Sequence, residues 1–253
     1  MYFESHAHYD DIQFDEDREE LLNKLLPSFG IETVINVASD MKSSYRSIAL
    51  AEKYDYIYAS VGVHPHEVKE MKEENLQELE QLCKHKKVIA VGEIGLDFYY
   101  NHSPKEIQKD WFTKQLNIVK KVNIPVIIHS RDAAQECFDI IKQSGVNKGV
   151  IHCYSGSAQM AQEYIKMGFY IGVGGVVTYN NAKKLIEVVE TIPLEKILIE
   201  TDSPYLSPVP NRGKRNDSRN LFFITEKIAE LKKIKASEVL NITKLNAFTL
   251  FFK

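Results

Sequence analysis

Four histidines and two carboxylates fall where side chains do chemistry. His6 and His8 are separated by one residue and close the short apolar run that opens the chain. Glu93, His129, His152 and Asp202 each stand at the end of a later apolar run. Alternate side chains of a β-strand share a face, so His6 and His8 would project together and supply half of a metal site. Six such groups brought to one place without partners would be costly to pack. Divalent cations remove that cost and suit a mixture of nitrogen and oxygen donors. Six donors are more than one tetrahedral ion needs, so two cations sharing a bridging carboxylate fit better, with Glu93 as the bridge. Read singly, each residue has a plainer role: a strand-end histidine satisfied by its neighbours, or Asp202 opening a turn before Ser203-Pro204. It is their recurrence at strand ends that favours a metal centre.

Such a centre requires a fold that gathers strand ends. After the first strand, residues 14–29 interleave charges with Leu21, Leu22, Leu25 and Leu26, an amphipathic helix pattern stopped by Gly30. β-Branched or apolar runs over residues 33–38, 57–63, 88–93, 125–129, 149–152, 169–173 and 196–201 read as strands two to eight. Helical patterns separate them: 43–54, 75–85, a long helix begun by Pro104 with Ile107, Trp111, Ile118 and Val122 at helical period, one closed by Gly145, one closed by Gly168, and 181–191. Two helices finish the chain, one turning Leu221, Ile224, Ile228 and Leu231 inward, the other Val239, Leu240, Ala247, Leu250 and Phe251. Eight strands alternating with helices in 253 residues predict a single-domain α/β fold, a (β/α)8 TIM-type barrel. A doubly wound open sheet would gather its ligand groups at one switch point rather than at many strand ends.

Composition narrows the function classes. A hydrophobic fraction of 44% supports a sizeable core, and a net charge of −3 gives no global basic field for nucleic acid, so any polyanion must be held by a local patch or by bound cations. Cys83, Cys137 and Cys153 are odd in number and lack a Cys-x-x-Cys pairing, which argues against a disulfide framework or a cysteine zinc site. No signal-peptide pattern opens the chain, and its apolar stretches are strand-sized, too short to span a bilayer. A cytoplasmic protein with no membrane association is expected, and nothing points to a particular protein partner.

Longer motifs surround the six residues: Ser5-His6-Ala7-His8, Gly62-Val63-His64-Pro65-His66, Gly92-Glu93-Ile94-Gly95-Leu96-Asp97-Phe98-Tyr99-Tyr100, His129-Ser130-Arg131, His152-Cys153-Tyr154-Ser155-Gly156 and Glu200-Thr201-Asp202-Ser203-Pro204-Tyr205-Leu206. In order and spacing, from the first residues to beyond Arg215, they resemble the signature segments of the TatD family of metal-dependent deoxyribonucleases, which are amidohydrolase-like barrels. Glu4 stands where that family often has Asp, and Ala7 where it often has Cys. The resemblance implies that His6, His8, Glu93 and Asp202 hold one metal, and Glu93, His129 and His152 the other. It further implies two divalent ions (Mg²⁺, Mn²⁺ or Zn²⁺) and cleavage of DNA phosphodiesters, often as an exonuclease on single strands or ends. Asp202, a carboxylate as well as a ligand, is the candidate to accept the proton of the attacking water, with Glu93 beside it in the catalytic set. The family has also been linked to removal of D-amino acids from mischarged tRNA.

Substrate contacts are expected from His64 and Arg131 at the rim and from Arg212 and Arg215 in the charged run after strand eight, where barrels commonly bind phosphate. Asp97 is a candidate to orient a ligand histidine, and Tyr99 and Tyr100 could stack on bases. Glu4 shares parity with His6 and His8 and is therefore expected inside the barrel. The alternatives are a small-molecule amidohydrolase, a D-aminoacyl-tRNA esterase and a non-enzymatic nucleic-acid-binding barrel. Many amidohydrolases bridge their metals with a modified lysine, and no lysine ends strand four, where Glu93 stands instead.

Overall fold

The computed structural model describes residues 1–253. Eight strands, β1 (Tyr2–Ala7), β2 (Ile31–Asn36), β3 (Ile57–Val61), β4 (Val88–Asp97), β5 (Val126–Arg131), β6 (Gly149–Ile151), β7 (Tyr170–Val173) and β8 (Ile197–Ile199), lie side by side in sequence order, each parallel to the next. The ring joins just beyond β8, where Asp202 N donates to His6 O at 2.9 Å and His8 N to Ser203 O at 2.7 Å, with a parallel bridge between Ala7 and Ser203. This is the expected (β/α)8 barrel.

The first helical region, expected as one helix over 14–29, is three contiguous pieces: α1 (Arg18–Glu20), a π-helical turn (Leu21–Leu25) and α2 (Leu26–Ser28). The outer layer continues with α3 (Met41–Lys53), α4 (Glu73–Leu82), α5 (Lys105–Val122), α6 (Ala134–Ser144), α7 (Ala158–Lys166), α8 (Lys183–Thr191), α9 (Leu221–Lys232) and α10 (Ala236–Phe252). Asp40 caps α3 by accepting from Ser43 N at 2.6 Å, and Gly145 closes α6 in the left-handed conformation. None of these helices is long and apolar enough to cross a membrane.

Two apolar cores result. The larger lies between the strands and the helices. The smaller fills the N-terminal half of the barrel with Phe3, Ile35, Ile127, Val150 and Leu198, and α10 plugs it with Ala247, Leu250 and Phe251. On α5, Ile107 is exposed and Gln108 is buried instead, correcting the inward face assigned from periodicity. Gln108 accepts from Asp97 N at 2.8 Å and donates to Asp97 O at 2.9 Å. Two turns on, buried Gln115 accepts from Val63 N at 2.9 Å and donates to Val63 O at 3.0 Å. Both amides spend their hydrogen bonds on main chain of the C-terminal rim, so α5 clamps the loops after β3 and β4.

Two bulges aim the site. Glu4 pairs with Val34 and Ala7 with Asn36, so β1 carries one residue more than β2 between those pairs. The extra residue reverses side-chain parity. His6 and His8 face the barrel mouth, whereas Glu4 faces the helix layer, where it accepts from Thr201 Oγ1 at 2.6 Å and Thr201 N at 2.9 Å. The expectation that Glu4 points inward is therefore overturned by the bulge. Likewise Val91 pairs with Val126 and Ile94 with Ile128, placing an extra residue at Gly92-Glu93. Gly92 has φ +155°, and a Cβ there would meet Ile127 Cβ at 2.7 Å; Gly95 has φ +146°, and its Cβ would meet His129 O at 2.0 Å. With these glycines β4 runs on to Asp97, four residues past the end expected from the apolar pattern.

Candidate metal centre

The six residues picked out by type and strand-end position converge at the C-terminal mouth, and Glu93 is at their centre. Its Oε1 lies 2.8 Å from His129 Nδ1 and 2.8 Å from His152 Nε2. Its Oε2 lies 3.4 Å from His6 Nε2 and 3.9 Å from His8 Nε2. Asp202 Oδ1 completes that second side at 3.4 Å from His8 Nε2 and 3.6 Å from His6 Nε2. The two oxygens of one carboxylate thus face two different donor groups. His64 joins the first, its Nε2 3.7 Å from Glu93 Oε1, so it stands among the possible donors and not only among substrate contacts.

His6 Nε2 and His8 Nε2 approach each other to 3.2 Å. Two nitrogens each ~2.1 Å from one cation are separated by roughly 3.0–3.4 Å, so this spacing suits joint ligation. Two imidazole lone pairs at that distance repel unless a proton or a cation lies between them. Burial sharpens the demand: His6 is fully buried, and Glu93 and His152 nearly so. Burial alone would raise the carboxyl of Glu93, but His152, His64 and His6 outweigh it and hold it well below the usual carboxylate range. Asp202 is likewise lowered, burial being outweighed by His8, His152 and His6. Against the lowering effect of burial, Asp202 pushes His8 up to about 9, and Glu93 and Glu200 push His152 well above the ordinary imidazole value. The carboxylates therefore demand positive charge, and protons on imidazoles supply it where no cation does.

An outer ring of groups holds the donors. His8 Nδ1 is 2.7 Å from Val37 O. Asp97 Oδ2 is 3.0 Å from both His129 Nε2 and His66 Nε2, while its Oδ1 accepts from Tyr99 N and Tyr100 N at 3.0 Å, as expected for an orienting carboxylate. Asn36 accepts from Tyr9 N at 2.6 Å and donates to Asp10 at 3.0 Å and Ser47 at 2.8 Å, fixing the turn after His8. Asp202 has φ +57°, a left-handed conformation that costs a non-glycine residue about 1–2 kcal/mol and is held here by its bond to His6 O.

The mouth opens into a cavity of about 500 Å³ whose wall includes Arg46, His64, Arg131 and Tyr100. Arg131, expected at the rim, is there: its guanidinium lies over the rings of Tyr99 (4.2 Å) and Tyr100 (4.7 Å). Arg212 and Arg215 are not. Arg212 stacks on Tyr179 at 4.3 Å outside the cavity. Arg215 donates to Asp17 Oδ1 and Gln13 O, both at 2.7 Å, and covers Phe14. The loop after β8 carries them away because Asn216 Nδ2 binds Thr201 O at 2.9 Å and Tyr205 O at 2.6 Å, folding the charged run back over the barrel's flank. Arg46, which no sequence motif marked, faces the cavity from α3 and pairs with Asp10 at 3.1 Å.

Residues 3–252 match the family model of TatD-related DNases. Over 253 residues the chain is 44% identical to the uncharacterized metal-dependent hydrolase YabD of Bacillus subtilis (strain 168), with 99% of each chain covered. It is 32% identical to the uncharacterized metal-dependent hydrolase TatD of Mycobacterium tuberculosis, covering 96% of this chain and 95% of that one. The crystal structure of YjjV, a TatD homolog from Escherichia coli K12, superposes with a TM-score of 0.94 at 32% identity, covering 100% of this chain and 98% of that one. With one model spanning nearly every residue and relatives matched end to end, this chain belongs to the TatD-related DNase family.

Proposed function

We propose that this protein is a metal-dependent hydrolase that cleaves DNA phosphodiesters, as an exonuclease acting on single strands or ends. One observation carries the reading: the two oxygens of Glu93 face two separate donor groups, His6, His8 and Asp202 on one side, His129 and His152 on the other. Charge supports it. Glu93, Asp202, Asp97 and Glu200 have imidazoles and main-chain N–H groups as partners, and no lysine or arginine. Glu93, Asp202 and Asp97 are held below the usual carboxylate range by the imidazoles around them, and divalent cations would offset their charge. His6, His8, Glu93 and Asp202 would hold one ion, and Glu93, His129 and His152 the other. Bound there, divalent ions supply Lewis acidity, acidify water and offset charge on phosphoryl oxygens.

The protein's own groups do the rest. Asp202, ionised and open to the cavity, accepts the proton of the attacking water. Arg131, free of any carboxylate partner and braced by two tyrosine rings, grips a phosphate oxygen of the substrate. Tyr99 and Tyr100, both largely exposed, stand where bases would pass. A cavity of about 500 Å³ is of a size to take a nucleotide.

The test is an assay of the purified chain with Mg²⁺, Mn²⁺ or Zn²⁺ on end-labelled oligonucleotides, a D-aminoacyl-tRNA and a simple amide in parallel. Stepwise shortening of the oligonucleotide, abolished by a chelator, is expected. Turnover of the tRNA ester or the amide with an untouched oligonucleotide would reject the reading. Asp202→Asn should keep the fold and lower turnover about 10²–10⁴-fold; undiminished hydrolysis removes Asp202 from the mechanism.

A further inference from the structure

Glu200 is a fully buried carboxylate that neither holds an ion nor meets substrate in the reading above. It lies inside the barrel beneath the metal centre, just past the end of β8, with the same parity as Leu198 of the inner core. Its Oε1 accepts from Cys153 N, which anchors it, and stands 3.4 Å from His152 Nδ1. Neither that nitrogen nor Glu200 Oε2 makes a hydrogen bond, so the carboxylate is the polar group facing an otherwise unpartnered Nδ1. Room for the carboxylate comes from β7: a Cβ on Gly172 would lie 2.7 Å from Glu200 Oε2 and 2.9 Å from Oε1. The barrel thus gives up a side chain on β7 to seat a buried acid behind one histidine.

The two sides of Glu93 are backed differently. His129 has Asp97 behind it and His152 has Glu200. On the other side His8 has only the Val37 carbonyl and His6 Nδ1 has no partner, but Asp202 supplies a carboxylate directly. A carboxylate behind a ligand histidine fixes which ring nitrogen carries the hydrogen and makes the other a better donor. The pair His129 and His152 has no carboxylate of its own besides the shared Glu93, so its negative charge must come from behind.

We propose that Glu200 is a positioning residue. It keeps the hydrogen of His152 on Nδ1, so that Nε2 is the free donor at the Glu93 Oε1 side, and it thereby sets the affinity of that side for a divalent cation. The inference rests on the two-cation reading above. The probe is Mn²⁺ alone, titrated calorimetrically into the metal-free full chain, with electron paramagnetic resonance of the loaded protein as a second readout. Wild type is expected to take two Mn²⁺ and to show the spectrum of a coupled pair. Glu200→Gln is expected to keep one site unchanged and weaken the other by about 10–100-fold, with the uncoupled six-line spectrum of a single ion at limiting Mn²⁺. Gly172→Ala displaces the carboxylate without removing it and should weaken the same site; it serves if Glu200→Gln does not fold. Wild-type affinity at both sites in the folded variant overturns the role of Glu200 while leaving the two-cation reading intact. A wild-type chain that takes fewer than two Mn²⁺ overturns both.

Discussion

At the N-terminal end of the barrel, Phe3 packs edge-on to Phe248 at 5.3 Å and nearly parallel to Phe251 at 6.2 Å, and α10 packs Ala247, Leu250 and Phe251 into the inner core. At the C-terminal end the same strands finish in imidazoles and carboxylates spaced 2.8–3.9 Å apart around Glu93. One end is apolar and packed. The other keeps buried polar atoms without partners, at His6 Nδ1 and His152 Nδ1. The strands lend their beginnings to stability and their ends to chemistry, so damage at the two ends should separate in measurement.

The largest separation is expected at the centre of the mouth. Glu93→Gln removes the carboxylate common to both donor groups; turnover should fall on the order of 10³-fold or more, and Mn²⁺ binding should fail at both positions. Retention of both ions in that variant would break the account of Glu93 as the bridge. The opposite-end counterpart is Phe3→Ala, which should cost about 3–5 kcal/mol of stability in a denaturant titration while leaving turnover per folded molecule unchanged. A loss of turnover exceeding the loss of folded protein would show that the two ends are not independent. Within the rim, Arg131→Ala should raise KM about 10–100-fold with kcat less affected, the worth of a charged contact to phosphate. The smallest effect belongs to Arg215→Ala: at most about 1 kcal/mol of stability from its half-exposed pair with Asp17, and oligonucleotide kinetics within about twofold of wild type. A KM shift matching that of Arg131→Ala would return the charged loop to the binding path.

Much of the mouth was legible because its chemistry is written in residue types at strand ends. His6 and His8, His129, His152 and Asp202 each follow an apolar run, and a barrel puts all such ends on one rim. What was not legible depends on one-residue changes of register. The bulge in β1 sends Glu4 to the helix layer, and the bulge at Gly92-Glu93 carries β4 on to Asp97; neither leaves a periodic trace, because a strand keeps its alternation on either side of the extra residue. Arg212 and Arg215 were misplaced for a different reason: the path of a long loop is set by tertiary bonds such as those of Asn216, not by its composition. Gln108 was passed over because a polar residue on a helix reads as solvent-facing until its partners on a neighbouring loop are known.

Those glutamines have a consequence for how the molecule can change. Gln108 and Gln115 stand seven positions apart on α5, and each grips a different loop of the mouth. A residue added or deleted between them would turn one amide about 100° away from its loop while the other stayed engaged. The spacing within an outer helix is therefore as rigid a requirement as the identity of a ligand. Insertions tolerated elsewhere in the shell would here unfasten half of the catalytic rim from outside.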